Sequence, residues 1–189
     1  MKIKGRSENQ SLIEDNINVF ERMLSEIVEY LSEQSNTLNK TITDIVKDGS
    51  AGDKDIEQTI YHSLSPFLDE YNLIDNCFSE GLVLSSYSFY ERMLKQIAKS
   101  NKIVKQKDLP KSYAINYIDA IKQHLKISKF EENIETSITE IDSRYRSLRI
   151  DITHKEYTGF HKIDFFYIKE SLDKIKEILL TINKAIETK

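Results

Sequence analysis

Arg149 and His154 stand with four residues between them in the run Arg144-Tyr145-Arg146-Ser147-Leu148-Arg149-Ile150-Asp151-Ile152-Thr153-His154. A guanidinium keeps its charge at any ordinary pH and grips anionic oxygen through a planar fork of donors. An imidazole gains or loses a proton near neutrality. Side by side, the two groups suit work on a phosphodiester, with one holding the anionic oxygens and the other moving a proton. No other stretch of the chain offers an acid–base group and an anion clamp together.

Residues five apart point roughly 140° away from each other on a regular helix. Arg149 and His154 therefore converge only if the long arginine reaches round, if the helix is irregular, or if two copies of the chain meet. Arg146, three before Arg149, is a closer helical neighbour and could touch the same phosphate. Asp151, three before His154, could orient the imidazole. Each residue also has a plainer role open to it. Arg149 could pair with Asp142 or Glu156, and His154 could sit at a helix C-terminus, where the partial negative charge favours it. Arg144 and Arg146 could be simple surface charges, and Glu91 a solvent-facing helix residue. Tyr87, Phe89 and Tyr90 suit a core, and Cys77 suits a buried, inert place.

The elements that position these groups are helical by period. Ile13, Ile17, Phe20, Leu24, Ile27 and Leu31 recur in alternating steps of four and three, and Leu38 and Ile45 continue the register. This a/d pattern predicts a long helix that pairs along a seam, within the chain or with a second copy. Asp48-Gly49-Ser50-Ala51-Gly52-Asp53 is loop chemistry. A short helix is predicted from about Asp55 to Leu64, ended by Ser65-Pro66 because proline disfavours helix in the residue before it. Pro66 would open the next stretch. A long helix is predicted from Asn72 to Asn101, with Leu73, Cys77, Val83, Leu84, Tyr87, Tyr90, Leu94 and Ile97 as its apolar positions and Gly81 at a close helix contact. After a connection over 100–112, Ser112 caps a helix carrying Ile115, Ile118, Ile121 and Leu125. Another starts near Phe130 and leads through Ile134, Ile138, Ile141, Tyr145 and Leu148 into the Arg/His run. Thr158-Gly159 breaks the chain, and a last helix spans Asp164 to Glu187. No run of period two marks a strand. The predicted class is all-α: an N-terminal helical arm over residues 1–70 and an antiparallel helical bundle over 71–189.

Composition agrees with a water-soluble helical protein. Of 189 residues, 39% are hydrophobic and 31% charged, with only five Gly and two Pro to interrupt helices. The apolar runs fall far short of the roughly 20 residues a membrane span needs, and the start does not read as a signal peptide. One cysteine, Cys77, excludes an intrachain disulfide and fits a reducing cytoplasm. No Cys/His cluster suggests a metal, and no cofactor is called for. The net charge of −4 hides a polarity: residues 92–129 carry 10 Lys/Arg against 2 Asp, whereas residues 1–91 carry 7 Lys/Arg against 17 Asp/Glu. The basic block, with Arg92, Lys95 and Lys99 at its head, could gather a polyanion or simply be a solvated, lysine-rich stretch between helices.

The Arg149-x4-His154 spacing, late in an all-α chain, resembles the catalytic motif of HEPN domains (higher eukaryotes and prokaryotes nucleotide-binding). The run Ser85-Ser86-Tyr87-Ser88-Phe89-Tyr90-Glu91-Arg92-Met93-Leu94-Lys95 is similar to the family's first helix, where an acidic residue follows an aromatic stripe. The resemblance covers about residues 72–187. Ile150 departs from it, since the residue after the arginine is commonly polar, and Asp151 stands one place later. What the resemblance implies is a metal-independent endoribonuclease that acts as a homodimer, a toxin or antiphage effector with RNA as substrate and an antitoxin or defence-system protein as partner. Arg149, His154, Asp151 and Glu91 would be its catalytic residues. Arg144, Arg146, Arg92, Lys95 and Lys99 would bind RNA. Two further readings stand beside it: a non-catalytic interaction module built on the 13–45 seam, and a nucleotide-binding bundle without nuclease activity.

Overall fold

The computed structural model describes residues 8–104, 114–148, 150 and 165–189. All regular structure among them is helical, so the chain is all-α. Two long helices, α1 (Glu8–Ser50) and α2 (Lys54–Ser100), are followed by α3 (Ala114–Leu125) and α4 (Glu132–Glu140), a π-helical turn over Ile141–Tyr145, and α5 (Phe165–Glu187). Among the described residues, no helix is long and apolar enough to cross a membrane.

The predicted break at 48–53 is the turn between α1 and α2. Ala51 and Gly52 adopt positive φ, at 48° and 90°. Asp53 then caps α2, its carboxylate accepting from the backbone amides of Asp55 and Ile56 at 2.9 and 3.3 Å, which satisfies two donors that have no partner within the helix. The helices return antiparallel: Asn9 near the start of α1 bonds to Ser100 at the end of α2, and the Tyr71 hydroxyl of α2 donates to the Leu31 carbonyl of α1. Near the turn the backbones approach so closely that a Cβ on Gly49 would lie 2.8 Å from Ile60 Cδ1.

α2 does not stop before Pro66. It runs unbroken through the proline, so the predicted helix end at Ser65 is not there. A proline inside a helix leaves the carbonyl four residues back without its amide partner. Here that carbonyl belongs to His62, and the Ser65 hydroxyl donates to it at 3.0 Å. The chain supplies next to the proline the donor that the proline lacks.

The core joins both halves of the sequence. Ile13, Ile17 and Leu24 of α1 pack in one cluster with Tyr87, Leu94 and Ile97 of α2, Ile118 and Ile121 of α3, Ile138 and Ile141, and Ile175, Leu179 and Ile182 of α5. The first half of α1 is thus part of the bundle, and residue 70, where the arm was expected to end, lies in the middle of α2. What extends beyond the core is the turn end of the α1–α2 hairpin. Past Leu31 only Ile42 and Ser50 of α1 are buried, and α2 buries no residue before Ser79. The seam also shifts there. Ile42 is buried and Ile45 is 46% exposed, so the inward line passes through 35, 42 and 46 instead of 34, 41 and 45. A straight helix turns at 3.6 residues and drifts away from a strict 3.5-residue repeat, and this one-residue slip is the direction of that drift.

Three smaller expectations are corrected on α2. Leu73 is 42% exposed and Cys77 is exposed, so neither is core. Gly81 makes no close contact, since a Cβ there would meet nothing within 4 Å. Leu73 and Cys77 precede the stretch of α2 that the other helices cover, and Gly81, inside that stretch, lies on its exposed side.

Candidate functional site

Arg149, Asp151 and His154 lie outside the described residues. The structure describes instead the helix that leads to them and what holds it. α4 begins at a clamp. The Glu135 carboxylate accepts the Phe130 amide at 2.7 Å and pairs with Lys122 of α3 at 2.8 Å. Burial works against the charged form of Glu135. The Lys122 ammonium and the Phe130 amide outweigh it and hold the carboxyl below its ordinary value. At the other end of α4, Glu140 meets Lys174 of α5 at 2.5 Å, and Lys174 also pairs with Glu170 at 2.8 Å. The two acids raise the Lys174 ammonium above its ordinary value.

The turn over Ile141–Tyr145 is π-helical. A π-turn inserts extra backbone into a helix, and such insertions concentrate at functional sites. This one buries Ile141 and Tyr145 and leaves Arg144 exposed. Three of its side chains are tied to other helices. Asp142 accepts the Tyr87 hydroxyl of α2 at 3.1 Å and faces the Arg146 guanidinium at 4.0 Å. Tyr145 stacks between Tyr87 and Tyr167 of α5, at centroid distances of 6.3 and 6.2 Å. The Arg144 guanidinium lies over the Tyr167 ring at 5.9 Å, a favourable cation–π placement. Burial pushes the Tyr145 phenol up, opposed by the Ser171 hydroxyl, and burial likewise pushes the fully enclosed Tyr90 phenol up, with Tyr87 and Asp142 adding to it. These tyrosines stay neutral and fill the space between the helices, in keeping with a core role.

The site residues expected from sequence fall into separate groups. Arg144, over Tyr167, and Arg146, against Asp142, both precede the motif in sequence but have separate partners. Leu148 packs against the core, whereas Ile150 is 46% exposed. Glu91 is half-buried and directed towards α3. After burial itself, its charge is what holds the Tyr117 phenol above its ordinary value. The α2 residue that touches the π-turn is Tyr87, one helical turn earlier. Arg92, Lys95 and Lys99 form a stripe on α2 roughly 110° around from Tyr87 at 100° per residue, so the structure does not turn them to the π-turn's side. Lys122 of the basic block is engaged by Glu135.

Sequence reading missed the parts of Asp142, Tyr167 and Lys174. The i,i+4 spacing of Asp142 and Arg146 was a legible signal; the reach of Tyr87 and Tyr167 from α2 and α5 was not. Among the described residues, no group of three His, Cys, Asp or Glu could hold a metal ion. The chain matches no protein-family model, no curated protein and no solved structure.

Proposed function

We propose that this chain is a metal-independent endoribonuclease of the HEPN type, working as a homodimer on cytoplasmic RNA as a toxin or defence effector. The observation that carries the reading is the Arg149-x4-His154 run, which follows in sequence a helical stretch that Tyr87, Asp142 and Arg146 fix across the bundle. RNA brings its own nucleophile. His154 of one copy removes the 2′-OH proton, the oxygen attacks phosphorus, and the bond to the 5′-oxygen breaks as that oxygen takes a proton. A cyclic 2′,3′-phosphate and a 5′-hydroxyl end result. Arg149 holds the non-bridging oxygens as charge builds on them. One imidazole cannot serve as base and acid in the same step, so a second copy supplies the second His154. Asp151 orients the imidazole, and Arg144 and Arg146 hold neighbouring phosphates. Glu91 supports this frame through Tyr117. Arg92, Lys95 and Lys99 gather RNA from the flank.

Arg149→Ala and His154→Ala are each expected to lower cleavage of a fluorescent RNA in EDTA by at least about 100-fold, the usual scale for loss of a general acid–base or oxyanion group. Helicity should match wild type. Retention of wild-type cleavage by both variants would overturn the proposal.

A further inference from the structure

The turn end of the hairpin carries large apolar side chains in the open. On α2, Ile56, Phe67, Ile74 and Phe78 are 45%, 56%, 44% and 43% exposed. On a helix of 100° per residue these four fall within roughly 40° of arc. The half-buried Ile60, Leu64 and Tyr71 border the same face. Half-exposed side chains of this size offer roughly 80–100 Å² each. The four alone therefore present on the order of 350 Å², and their half-buried neighbours extend the patch towards the roughly 800 Å² that each partner gives to a stable complex. A contiguous apolar face of this kind on a helix marks an interface.

We infer that this face is where a second copy of the chain packs, with the two α2 helices antiparallel about a two-fold axis at Phe67. The spacing of the residues carries the choice of occupant. A two-fold antiparallel pair places residues equally distant from the axis against each other. Phe67 then meets Phe67, and Ile56 meets Phe78. Three of the four exposed positions thus mirror one another about the axis, as a self-complementary seam requires, and Ile74 comes level with Ile60, whose Cδ1 lies on the α1 side of the helix near Gly49. Charge agrees with it. Asp55, Glu57, Asp69, Glu70 and Asp75 make this stretch acidic, and a random pairing of two such surfaces would set acid against acid. In the Phe67-centred register they lie level with Ser79, Cys77, Ser65, Leu64 and Thr59. No acid of this stretch confronts another. The charges lie off the apolar line, which is the apolar centre and polar rim of a protein interface. This inference does not depend on the ribonuclease reading, and its test does not measure cleavage.

Sedimentation equilibrium of the full chain tests it directly. Phe67→Asp should halve the mass of the wild-type particle while leaving the circular dichroism unchanged. A cross-link then reports the axis independently of that variant. In a Cys77→Ser background, Phe67→Cys should form a covalent dimer on mild oxidation, because the two sulphurs meet at the axis. Asp69→Cys, on the opposite side of α2, should not. A monomeric wild type, an unchanged mass for Phe67→Asp, or equal cross-linking at positions 67 and 69 would each overturn the proposal.

Discussion

At the scale of single residues, the region before Arg149 is built from charges that do structural work. Glu135 is the clearest case, since it ties the start of α4 to α3 through Lys122 and closes on the Phe130 amide. A carboxyl held below its ordinary value of 4.5 adds stability that is present above that value and is lost as pH falls through the lowered one. Glu135→Gln keeps an acceptor for the amide but loses the charge. It is expected to cost about 1–2 kcal/mol at pH 7, with the gap to wild type closing as pH falls through the lowered value and the wild-type carboxyl protonates. Urea denaturation at several pH values checks both the size and the closing of the gap. The pairing of Lys122 also shows why a run of basic residues is a poor guide to a binding face. Summed charge says nothing about which lysine already has a partner.

Among the elements, α2 departs most from its predicted form. The pattern around Pro66 predicts two helices, and the chain makes one. Proline's cost inside a helix comes from the lost hydrogen bond and from the ring's clash with the preceding turn, and Ser65 relieves the first of these at the His62 carbonyl. Pro66→Ala restores the amide and removes the clash, so it is expected to raise stability by up to about 3 kcal/mol, read as a shift in the urea midpoint at unchanged slope. The π-turn at Ile141–Tyr145 is the other element that periodicity could not supply. Ile138, Ile141, Tyr145 and Leu148 fit a regular helix on paper. The extra backbone becomes necessary only when Asp142 must reach Tyr87 and Tyr145 must stack between two other helices.

For the molecule as a whole, the first half of α1 belongs to the bundle core. Ile17 is fully buried among side chains from the other helices. Ile17→Ala leaves a cavity there, and the expected loss is about 2–5 kcal/mol, measurable by thermal or urea unfolding. The same reasoning predicts that a chain lacking residues 1–50 fails to fold, because its remaining helices would face water with the surface that Ile13, Ile17 and Leu24 cover. Circular dichroism and exchange of core amides would show this. The outward section is the hairpin's turn end, and its apolar face is the one on which we infer that a second copy packs.

The sequence by itself determined the helical class, the turn at 48–53, the placing of α3, α4 and α5, and most of the core, because apolar spacing and capping residues act over one or two turns of chain. It also displayed the Arg149 and His154 pair, whose meaning lies in residue type and spacing. Only the tertiary structure decided which apolar residues go inside. Ile13 and Ile45 belong to one a/d register, yet the first is buried in the part of α1 that packs on the bundle and the second faces out. Likewise Tyr87 and Phe67 are both large and aromatic on the same helix, and they differ because α3, the π-turn and α5 cover one stretch of α2 and not the other. Burial depends on what arrives from distant parts of the chain, and a local pattern holds no record of that.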